Sequence, residues 1–294
     1  MSFQARRHTE AYAEASPALL LRLQASPAAA SDWTVLMPFL NEARLIAATL
    51  RSIAAQEVPF EIILVDNGST DSSCDVVAQT CEQLGLRYLL VNEPRRGKVH
   101  ALACGLGHVR TRFVATLDAD TFYPSNYLAR AGRLLEAPSC VAAQAYYVRP
   151  SWKRWRRFLA ATKLKCASIL LPHQCHNGGA GQVFRTDVLI RSGGFDARRW
   201  RLILEDHEIV HRVSQFGTVR SGLEFWCCPS RREHDRPPCR WSLSERLTYH
   251  LTPSHRQARF FYDFLAPRLE ARQPTNHVRQ PSDTEHPEVP GWAA

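Results

Sequence analysis

The chain has 294 residues, is 45 % hydrophobic, and carries 37 Lys and Arg against 28 Asp and Glu, a formal charge of +9. It is too apolar for a disordered chain, and its length fits two small domains or one large α/β domain with extensions. No apolar run approaches the ~20 uninterrupted residues of a membrane-spanning helix. The positive charge favours polyanionic partners, namely nucleic acid, anionic lipid headgroups or a nucleotide diphosphate, without choosing among them.

The N-terminus and the cysteines predict a reducing compartment. The short apolar patch 18–21 is interrupted by Arg22, well short of the apolar core of a usual signal peptide. The nine cysteines lack the spacing of a disulfide scaffold, so we expect reduced thiols. Both observations predict a cytoplasmic protein.

Strand-length apolar runs alternate with helical patterns through the first half of the chain. This order predicts βαβ units and a largely parallel sheet. The predicted strands are 33–38, 60–66, 86–92 and 112–117, and the predicted helices between them are 41–56, 71–84 and 97–110. The second strand is nearly continuously apolar and rich in β-branched residues, so we expect it to be buried on both faces.

The alternation changes in the second half of the chain. The predicted elements are a helix from Pro124, a strand over 141–148, a helix over 205–216 and a helical region over 242–265 that breaks near Pro253. Residues from 273 onward hold four prolines among polar side chains and are expected to be disordered. The predicted organisation is an N-terminal extension over 1–31, a main domain over 32–240, a helical region over 241–272 and a tail over 273–294.

Acidic and amide side chains follow the predicted strands, where an open parallel sheet binds its ligands. They are Asn41 and Glu42 after the first strand, Asp66 at the end of the second, and Asp118 and Asp120 after the fourth. Residues two apart in a strand face the same side, so Asp118 and Asp120 can face one ligand, and their oxygens suit Mg²⁺ or Mn²⁺. The alternative is a helix-capping aspartate with a solvated neighbour.

Two further turns are candidates for ligand binding. Asp66 opens a turn that its Asn-Gly pair favours and could accept hydrogen bonds from a nucleobase or ribose, whereas Asp71 is better explained as a helix cap. Gly97 and Lys98 begin a predicted helix, where a lysine and free backbone N–H groups could meet a phosphate. A solvated basic turn is the alternative there.

Asp206 stands near the start of the 205–216 helix. By i+3 and i+4 spacing it shares an apolar stripe with Ile209, Val210, Val213 and, one turn on, Phe216. A carboxylate in such a stripe is costly unless it is paired or used. The helix N-terminus would stabilise its charge while partial burial would raise its pKa, a combination that suits a general base. An N-cap is the competing interpretation.

Taken in order, these motifs resemble those of the family 2 glycosyltransferases with a GT-A fold. The matching strings are MPFLNE at 37–42, VDNGSTD at 65–71, GK at 97–98, DAD at 118–120, GGAG at 178–181 followed by FR at 184–185, GGFD at 193–196 and LED at 204–206. Each string is weak alone, but this many in the family's order is a specific match. The resemblance covers residues 33–217.

The resemblance implies an α/β GT-A fold, a Rossmann-like and mostly parallel sheet flanked by helices, with a C-terminal helical extension. It implies inverting transfer of a sugar from a nucleotide diphosphate donor to an acceptor hydroxyl, assisted by Mn²⁺ or Mg²⁺. By position, Asp66 would contact the nucleobase, Asp118 the ribose and Asp120 the metal. Asp206 would be the general base that deprotonates the acceptor.

The remaining matched positions would complete the donor site. Pro38, Asn41 and Glu42 would form part of the nucleoside pocket, and Lys98 would meet a phosphate. The turn 178–181, which includes Gly179, would let backbone approach the sugar or the acceptor.

Two departures from the family pattern favour a single-addition enzyme over a processive synthase. Members that build long polysaccharides often carry Gln-x-x-Arg-Trp, whereas Pro237 stands at the Gln position before Arg240 and Trp241. Those members also usually carry membrane helices, which this sequence does not show.

Two features could extend the site. His234 lies where some GT-A enzymes place a further metal ligand, although an exposed histidine among charges is usually solvated. The basic and aromatic segment 152–158 could lie at an anionic membrane surface and bring the enzyme to a lipid-linked acceptor. The alternative is a helix that snorkels its basic groups over the core.

Two other functions are considered. A sugar-nucleotide pyrophosphorylase is expected to open with a glycine-rich phosphate loop after its first strand, where this chain has 38–42, PFLNE. A nucleic-acid binder offers no reason for carboxylates at three strand ends, which would repel phosphate unless a metal intervened. We therefore expect no nucleic-acid partner.

Overall fold

The computed structural model describes residues 31–230 and 241–272, together with the backbone of 19–23. Its strands are β1 Leu19–Leu23, β2 Trp33–Phe39, β3 Glu61–Asp66, β4 Tyr88–Asn92, β5 Phe113–Leu117, β6 Thr121–Phe122, β7 Cys140–Gln144, β8 Tyr146–Tyr147, β9 Gly181–Arg185, β10 Thr218–Arg220 and β11 Trp226–Pro229. Its helices are α1 Ile46–Ala54, α2 Ser73–Gln83, α3 Lys98–Leu106, α4 Tyr127–Leu135, α5 Arg154–Leu170, α6 Thr186–Arg191, α7 Glu205–Val213, α8 Leu243–Leu251, α9 Gln257–Arg259 and α10 Ala266–Ala271. Short 3₁₀ segments cover Ser214–Phe216 and Ser254–Arg256, and a π-helix covers Phe260–Leu265.

An eight-stranded mixed sheet forms the centre of the described chain, in the order β1-β4-β3-β2-β5-β9-β7-β10. The four strands predicted for the first half, β2 to β5, are confirmed, and they pair in parallel. Antiparallel pairing joins β1 to β4 and places β9 between β5 and β7. A small second sheet has the order β6-β11-β8. The predicted α/β class with a mostly parallel sheet is correct.

Helices cover both faces of the large sheet. Along β2, Val35 and Met37 belong to one apolar core, whereas Leu36 belongs to the other. The first core contains side chains of α1, α2 and α4, and the second contains side chains of α3, α6 and α7. Five of the six β3 residues are buried, as expected for a central strand covered on both sides.

The C-terminal helical region packs as a third cluster. Buried aromatic and aliphatic side chains make it, namely Trp200, Tyr249, Phe260, Phe261, Leu265 and Leu269. Pro253 separates α8 from the helical segments that follow, as predicted. None of the helices in the described residues combines the length and apolar character that crossing a bilayer requires. The predicted tail over 273–294 lies outside the described residues.

The structure changes several predicted boundaries. The first helix begins at Ile46 rather than residue 41, because Asn41 has a φ of +53°, which a right-handed helix does not allow. The predicted strand 141–148 is divided at Ala145, whose N–H donates to the Gly181 carbonyl oxygen, and its halves belong to different sheets. Phe216 is exposed rather than part of the buried α7 stripe.

Close packing of α3 on the sheet requires glycine at position 105. A Cβ atom there would lie 2.2 Å from Leu36 Cδ1 and 2.9 Å from Val65 Cγ2, and both neighbours are fully buried. We expect Gly105→Ala to lower the free energy of unfolding by about 1–3 kcal/mol, because the core must move to accept the methyl group. Chemical denaturation of both proteins measures the difference.

Gly132→Ala is the matched control for this prediction. Gly132 also lies in a helix, but its Cβ would meet Trp33 Cζ2 at 3.7 Å, an ordinary contact. The helix preference of alanine should then raise stability by roughly 0.5–1 kcal/mol. Equal effects of the two substitutions would contradict the packing argument.

Candidate active site

A small cleft opens at the carboxyl ends of the parallel strands. The ends of β2 and β5, the N-terminal ends of α3 and α7, and the turn before β9 all contribute to it. Its lining residues are Pro38, Lys98, Leu102, Thr116, Leu117, Asp118, Gly179, Gln182, Phe195, Glu205 and Asp206. Five residues predicted from the sequence, Pro38, Lys98, Asp118, Gly179 and Asp206, are thus brought together.

Lys98 is the cation at the centre of this cleft. Its Nζ lies 2.6 Å from Asp118 Oδ1 and 3.7 Å from Glu205 Oε1. Burial by itself lowers the pKa of Lys98, but Asp118 and Glu205 outweigh burial and hold the pKa above its ordinary value. Lys98 therefore stays protonated and offsets the charge of the carboxylates around it, so it is not a solvated basic turn.

Glu205 is a cleft residue for which the sequence provided no role. It is the first residue of α7 and lies beside Lys98. Burial raises the pKa of Glu205, Lys98 lowers it, and the neighbouring charge of Asp206 raises it again. The net pKa of Glu205 lies above its ordinary value. Its position next to Asp206 in the LED string was the available signal.

Asp206 is held by the residue that follows it. Its Oδ1 lies 2.8 Å from both the backbone nitrogen and the ring Nδ1 of His207. Leu204, with a φ of +67°, is the N-cap of α7, so the N-cap interpretation of Asp206 is wrong. Burial raises the pKa of Asp206, but the attraction of His207 outweighs burial and leaves the pKa below its ordinary value. The predicted upward shift is therefore wrong, because the sequence does not reveal this contact.

His207 contacts Asp206 and is a second residue of this site, besides Glu205, that the sequence did not indicate. Burial lowers its pKa, but Cys175 and Asp206 raise it, and the net pKa lies well above its ordinary value. The ring therefore carries a positive charge at neutral pH and can donate to Asp206 Oδ1. It packs against Trp241 and Tyr249, with ring centroids 5.2 Å and 5.9 Å away.

The glycine turn before β9 approaches Asp206 itself. A Cβ on Gly179 would lie 3.1 Å from Asp206 Cβ and 3.5 Å from Lys98 Nζ. A Cβ on Gly178 would lie 2.8 Å from the Tyr147 hydroxyl oxygen. A side chain at position 178 would displace the Tyr147 hydroxyl, and one at position 179 would press against Asp206, so both positions favour glycine.

The loops after β2 and β3 interlock beside the cleft. Asn41 Oδ1 accepts a hydrogen bond from the Thr70 N–H at 2.8 Å. Asp66 is buried, and its Oδ1 accepts from the Ser69 N–H at 3.0 Å. Glu42 donates its N–H to the Ser73 hydroxyl at 2.7 Å. The structure thus gives these predicted nucleoside-binding residues neighbouring positions, although none of the three lines the cleft.

The side chain of Asn67 fixes the loop that leads to Lys98. Its Nδ2 donates to the carbonyl oxygens of Glu93 and Arg95 at 3.0 and 2.8 Å. Its Oδ1 accepts from the Gly97 N–H at 2.7 Å. The N-cap of α2 is Ser72 rather than the predicted Asp71, which lies one residue earlier and whose Oδ1 accepts from the N–H of Ser73, the first residue of α2.

Asp118 and Asp120 follow β5 rather than lie in it, so the strand argument for a shared face does not apply. The turn is held by the Tyr123 hydroxyl, which lies 2.9 Å from the Asp118 nitrogen. Asp118 faces Lys98, whereas Asp120 Oδ2 accepts from the Ser230 hydroxyl at 3.2 Å. The described residues contain no cluster of three potential metal ligands. His234, the other predicted ligand, lies outside the described residues.

A family model described as Glycosyl transferase family 2 matches residues 34–193. This match covers more than half of the chain, so the protein belongs to the family 2 glycosyltransferases.

Two curated relatives agree with this assignment. The chain is 30 % identical over 131 residues to a PGL/p-HBAD biosynthesis glycosyltransferase of Mycobacterium bovis, covering 43 % of this chain and 51 % of that protein. It is 36 % identical over 108 residues to an undecaprenyl-phosphate 4-deoxy-4-formamido-L-arabinose transferase of Serratia proteamaculans, covering 35 % of this chain and 33 % of that protein. The chain spans about half or less of the length of these two relatives.

The fold is that of a solved glycosyltransferase. A mannosyltransferase of Pyrobaculum calidifontis, in complex with GDP-Man and Mn²⁺, matches with a TM-score of 0.61 and 24 % identity. The match covers 92 % of this chain and 76 % of that chain. The expected GT-A fold is therefore confirmed.

Proposed function

We propose that this protein is an inverting glycosyltransferase that moves a sugar from a nucleotide diphosphate to an acceptor hydroxyl, with Asp206 as the general base. The observation that carries the proposal is the position of Asp206, whose carboxylate lines one cleft with Lys98 and Asp118. A carboxylate beside a cation at strand ends suits a site that binds an anionic donor and removes one proton.

The two oxygens of Asp206 have different tasks in this mechanism. Oδ1 receives both contacts from His207, while Oδ2 lies toward the Gly178 and Gly179 positions. Oδ2 would take the proton of the acceptor hydroxyl as its oxygen attacks the anomeric carbon. The bond from that carbon to the diphosphate oxygen breaks as the new bond forms, which inverts the configuration. The charge of His207 keeps Asp206 ionised and ready to accept the proton.

Donor binding is assigned to the adjoining strand ends. We assign the nucleobase to Asp66, the ribose to Asp118, and the nucleoside pocket in part to Pro38, Asn41 and Glu42. Lys98 would then exchange part of its contact with Asp118 for a phosphate oxygen. The GDP-Man in the structure of the Pyrobaculum relative supports a nucleotide diphosphate sugar as the donor class.

A divalent cation, Mn²⁺ or Mg²⁺, fits the chemistry of this edge. Carboxylate oxygens are its preferred ligands, and Mg²⁺ is commonly held by one or two carboxylates together with substrate phosphates. Asp120 would hold the cation, with His234 as a further ligand. When bound, the cation would offset the charge of the leaving diphosphate.

The acceptor and the cellular location are also proposals. An acceptor hydroxyl carried by a lipid is supported by the undecaprenyl-phosphate in the name of the Serratia relative. Pro237 in place of the family's Gln supports a single addition. The eight cysteines in the described residues are free of disulfides, which suits the cytoplasm and the inner face of its membrane.

Replacing the base tests the proposed function directly. We expect Asp206→Asn to lower sugar transfer by about 10²–10⁴-fold, because the amide cannot take the acceptor proton. A panel of nucleotide sugars identifies the donor by thermal stabilisation, and transfer from that donor is then measured. Asp187→Asn, an exposed aspartate on α6, is the control and should transfer at the wild-type rate. Unchanged transfer by Asp206→Asn would overturn the assignment.

The contact between His207 and Asp206 predicts the pH dependence. Asp206 must be deprotonated to act, and its lowered pKa keeps the wild type active into acidic pH. In His207→Gln the pKa of Asp206 should rise because burial is no longer opposed, so the acidic limb of kcat against pH should move upward by about one unit. His255→Gln, the same change at an exposed position, should leave the profile unmoved. Superimposable profiles for His207→Gln and the wild type would refute this coupling.

The metal assignment predicts two results. Chelation should abolish transfer, and Asp120→Asn should raise the Mn²⁺ concentration for half-maximal transfer by about 10-fold or more, since a ligand oxygen is lost. Thermal stabilisation by the donor should likewise require Mn²⁺ in the wild type. Full transfer after chelation would exclude metal assistance. Unchanged metal dependence in His234→Ala would remove His234 from the ligand set.

A further inference from the structure

Large apolar side chains are exposed mainly on two helices. Eleven such residues are exposed in the described chain, and only three of them, Leu84, Phe216 and Leu223, lie elsewhere. The other eight are Trp155, Phe158, Leu159, Ile169 and Leu170 on α5, and Leu243, Leu247 and Leu251 on α8. We call these eight side chains and their two helices the α5–α8 surface.

Helix α5 packs on the protein by a narrow stripe. Only Ala161, Leu164 and Ser168 of its 17 residues are buried. Trp155 and Phe158 are 56 % and 61 % exposed. The alternative of a helix that snorkels its basic groups over the core fits Arg157, whose guanidinium lies 5.8 Å from the centre of the Trp226 ring, but it does not explain why Trp155 and Phe158 are more than half exposed.

Helix α8 presents a regular stripe to the solvent. Leu243, Leu247 and Leu251 follow each other at four-residue spacing and are between 61 % and 86 % exposed. The opposite face is anchored, since Glu245 and Tyr249 are buried. Three leucines on one outward face are therefore not needed to hold the helix in place.

The C-terminal ends of the two helices meet. Gln174, shortly after α5, donates from Nε2 to the Tyr249 carbonyl oxygen at 3.2 Å. His176 Nε2 lies 2.9 Å from the carbonyl oxygen of Leu171, and its ring stacks on that of His250 with centroids 6.4 Å apart. The exposed side chains at these two helix ends, Ile169 and Leu170 on α5 and Leu251 on α8, therefore lie on neighbouring parts of the surface.

The charge of this region is positive. Residues 137–186, which include all of α5, contain eight Lys or Arg and no Asp or Glu. The glutamate of α8, Glu245, is turned inward and pairs with Arg272 at 2.6 Å. Exposed aromatic and aliphatic side chains among basic ones match the interface of an anionic bilayer, where apolar groups enter the acyl boundary and basic groups meet phosphates. A second copy of the chain would instead bring two cationic surfaces together.

We propose that the α5–α8 surface docks the protein on an anionic phospholipid bilayer. The surface adjoins the cleft, because α5 continues into the segment that ends in the glycine turn at 178–181, and the Cys175 N–H bonds the Tyr249 hydroxyl at 2.7 Å. Docking would therefore hold the cleft at the height of lipid headgroups. That consequence for the acceptor rests on the proposed function, whereas docking itself does not.

Vesicle sedimentation tests the docking surface. The full chain should bind vesicles of phosphatidylcholine mixed with phosphatidylglycerol at low salt. It should bind much more weakly to vesicles of phosphatidylcholine alone, and to the mixed vesicles at high salt. The triple variant Leu243→Ser, Leu247→Ser and Leu251→Ser should weaken binding at least ~10-fold, and so should Trp155→Ser with Phe158→Ser. Leu84→Ser, Phe216→Ser and Leu223→Ser together are the matched control and should bind as the wild type does.

Three outcomes overturn the proposal. The first is that the wild type does not bind anionic vesicles. The second is that the α8 triple variant binds them as well as the wild type does. The third is that neither protein binds vesicles and the wild type forms a dimer in solution that the α8 triple variant loses, which would assign the surface to a second copy of the chain. Transfer to a soluble acceptor should be unchanged in the α8 triple variant. Loss of vesicle binding with unchanged transfer would therefore refute only this inference. Loss of transfer with unchanged vesicle binding would refute only the proposed function.

Discussion

Parallel pairing of β3, β2 and β5 is the constraint on which the site depends. Pro38 lies opposite Val65 in this register, and β5 ends at the same edge of the sheet. Since parallel strands align their carboxyl ends, residues that follow each strand come together although they are far apart in the chain. The N-terminal ends of α3 and α7 meet the same edge, and their positive helix ends favour carboxylates and phosphates there.

Two cationic side chains offset the negative charge of the carboxylates in the cleft. Lys98 pairs with Asp118 and Glu205, and His207 pairs with Asp206. Without them, three carboxylates would share one partly buried space and repel each other as well as an anionic ligand. The division also separates roles, since Lys98 faces the proposed donor while His207 lies behind the proposed base and keeps it ionised.

The C-terminal helical region connects the proposed base to the outer surface. Trp241 and Tyr249 pack on the ring of His207, and Tyr249 also bonds the segment between α5 and the glycine turn. One face of α8 therefore supports the cleft, and its other face carries the exposed leucines. A helix with both contacts is suited to couple the position of an acceptor at a surface to the position of the base.

Local patterns in the sequence determined β2 to β5, the helices between them and the motif order, because periodicity and turn chemistry involve residues close along the chain. They also identified Lys98, Asp118 and Asp206 as candidates, and the family resemblance added Gly179. Only the tertiary structure decided the pairing of Asp206 with His207, the downward direction of its pKa, the division of 141–148 between two sheets and the exposure of α8. The physical reason is that these features depend on burial and on packing between distant segments, which periodicity along one element does not record. Even the contact between the adjacent residues Asp206 and His207 involves a ring that packs against Trp241 and Tyr249.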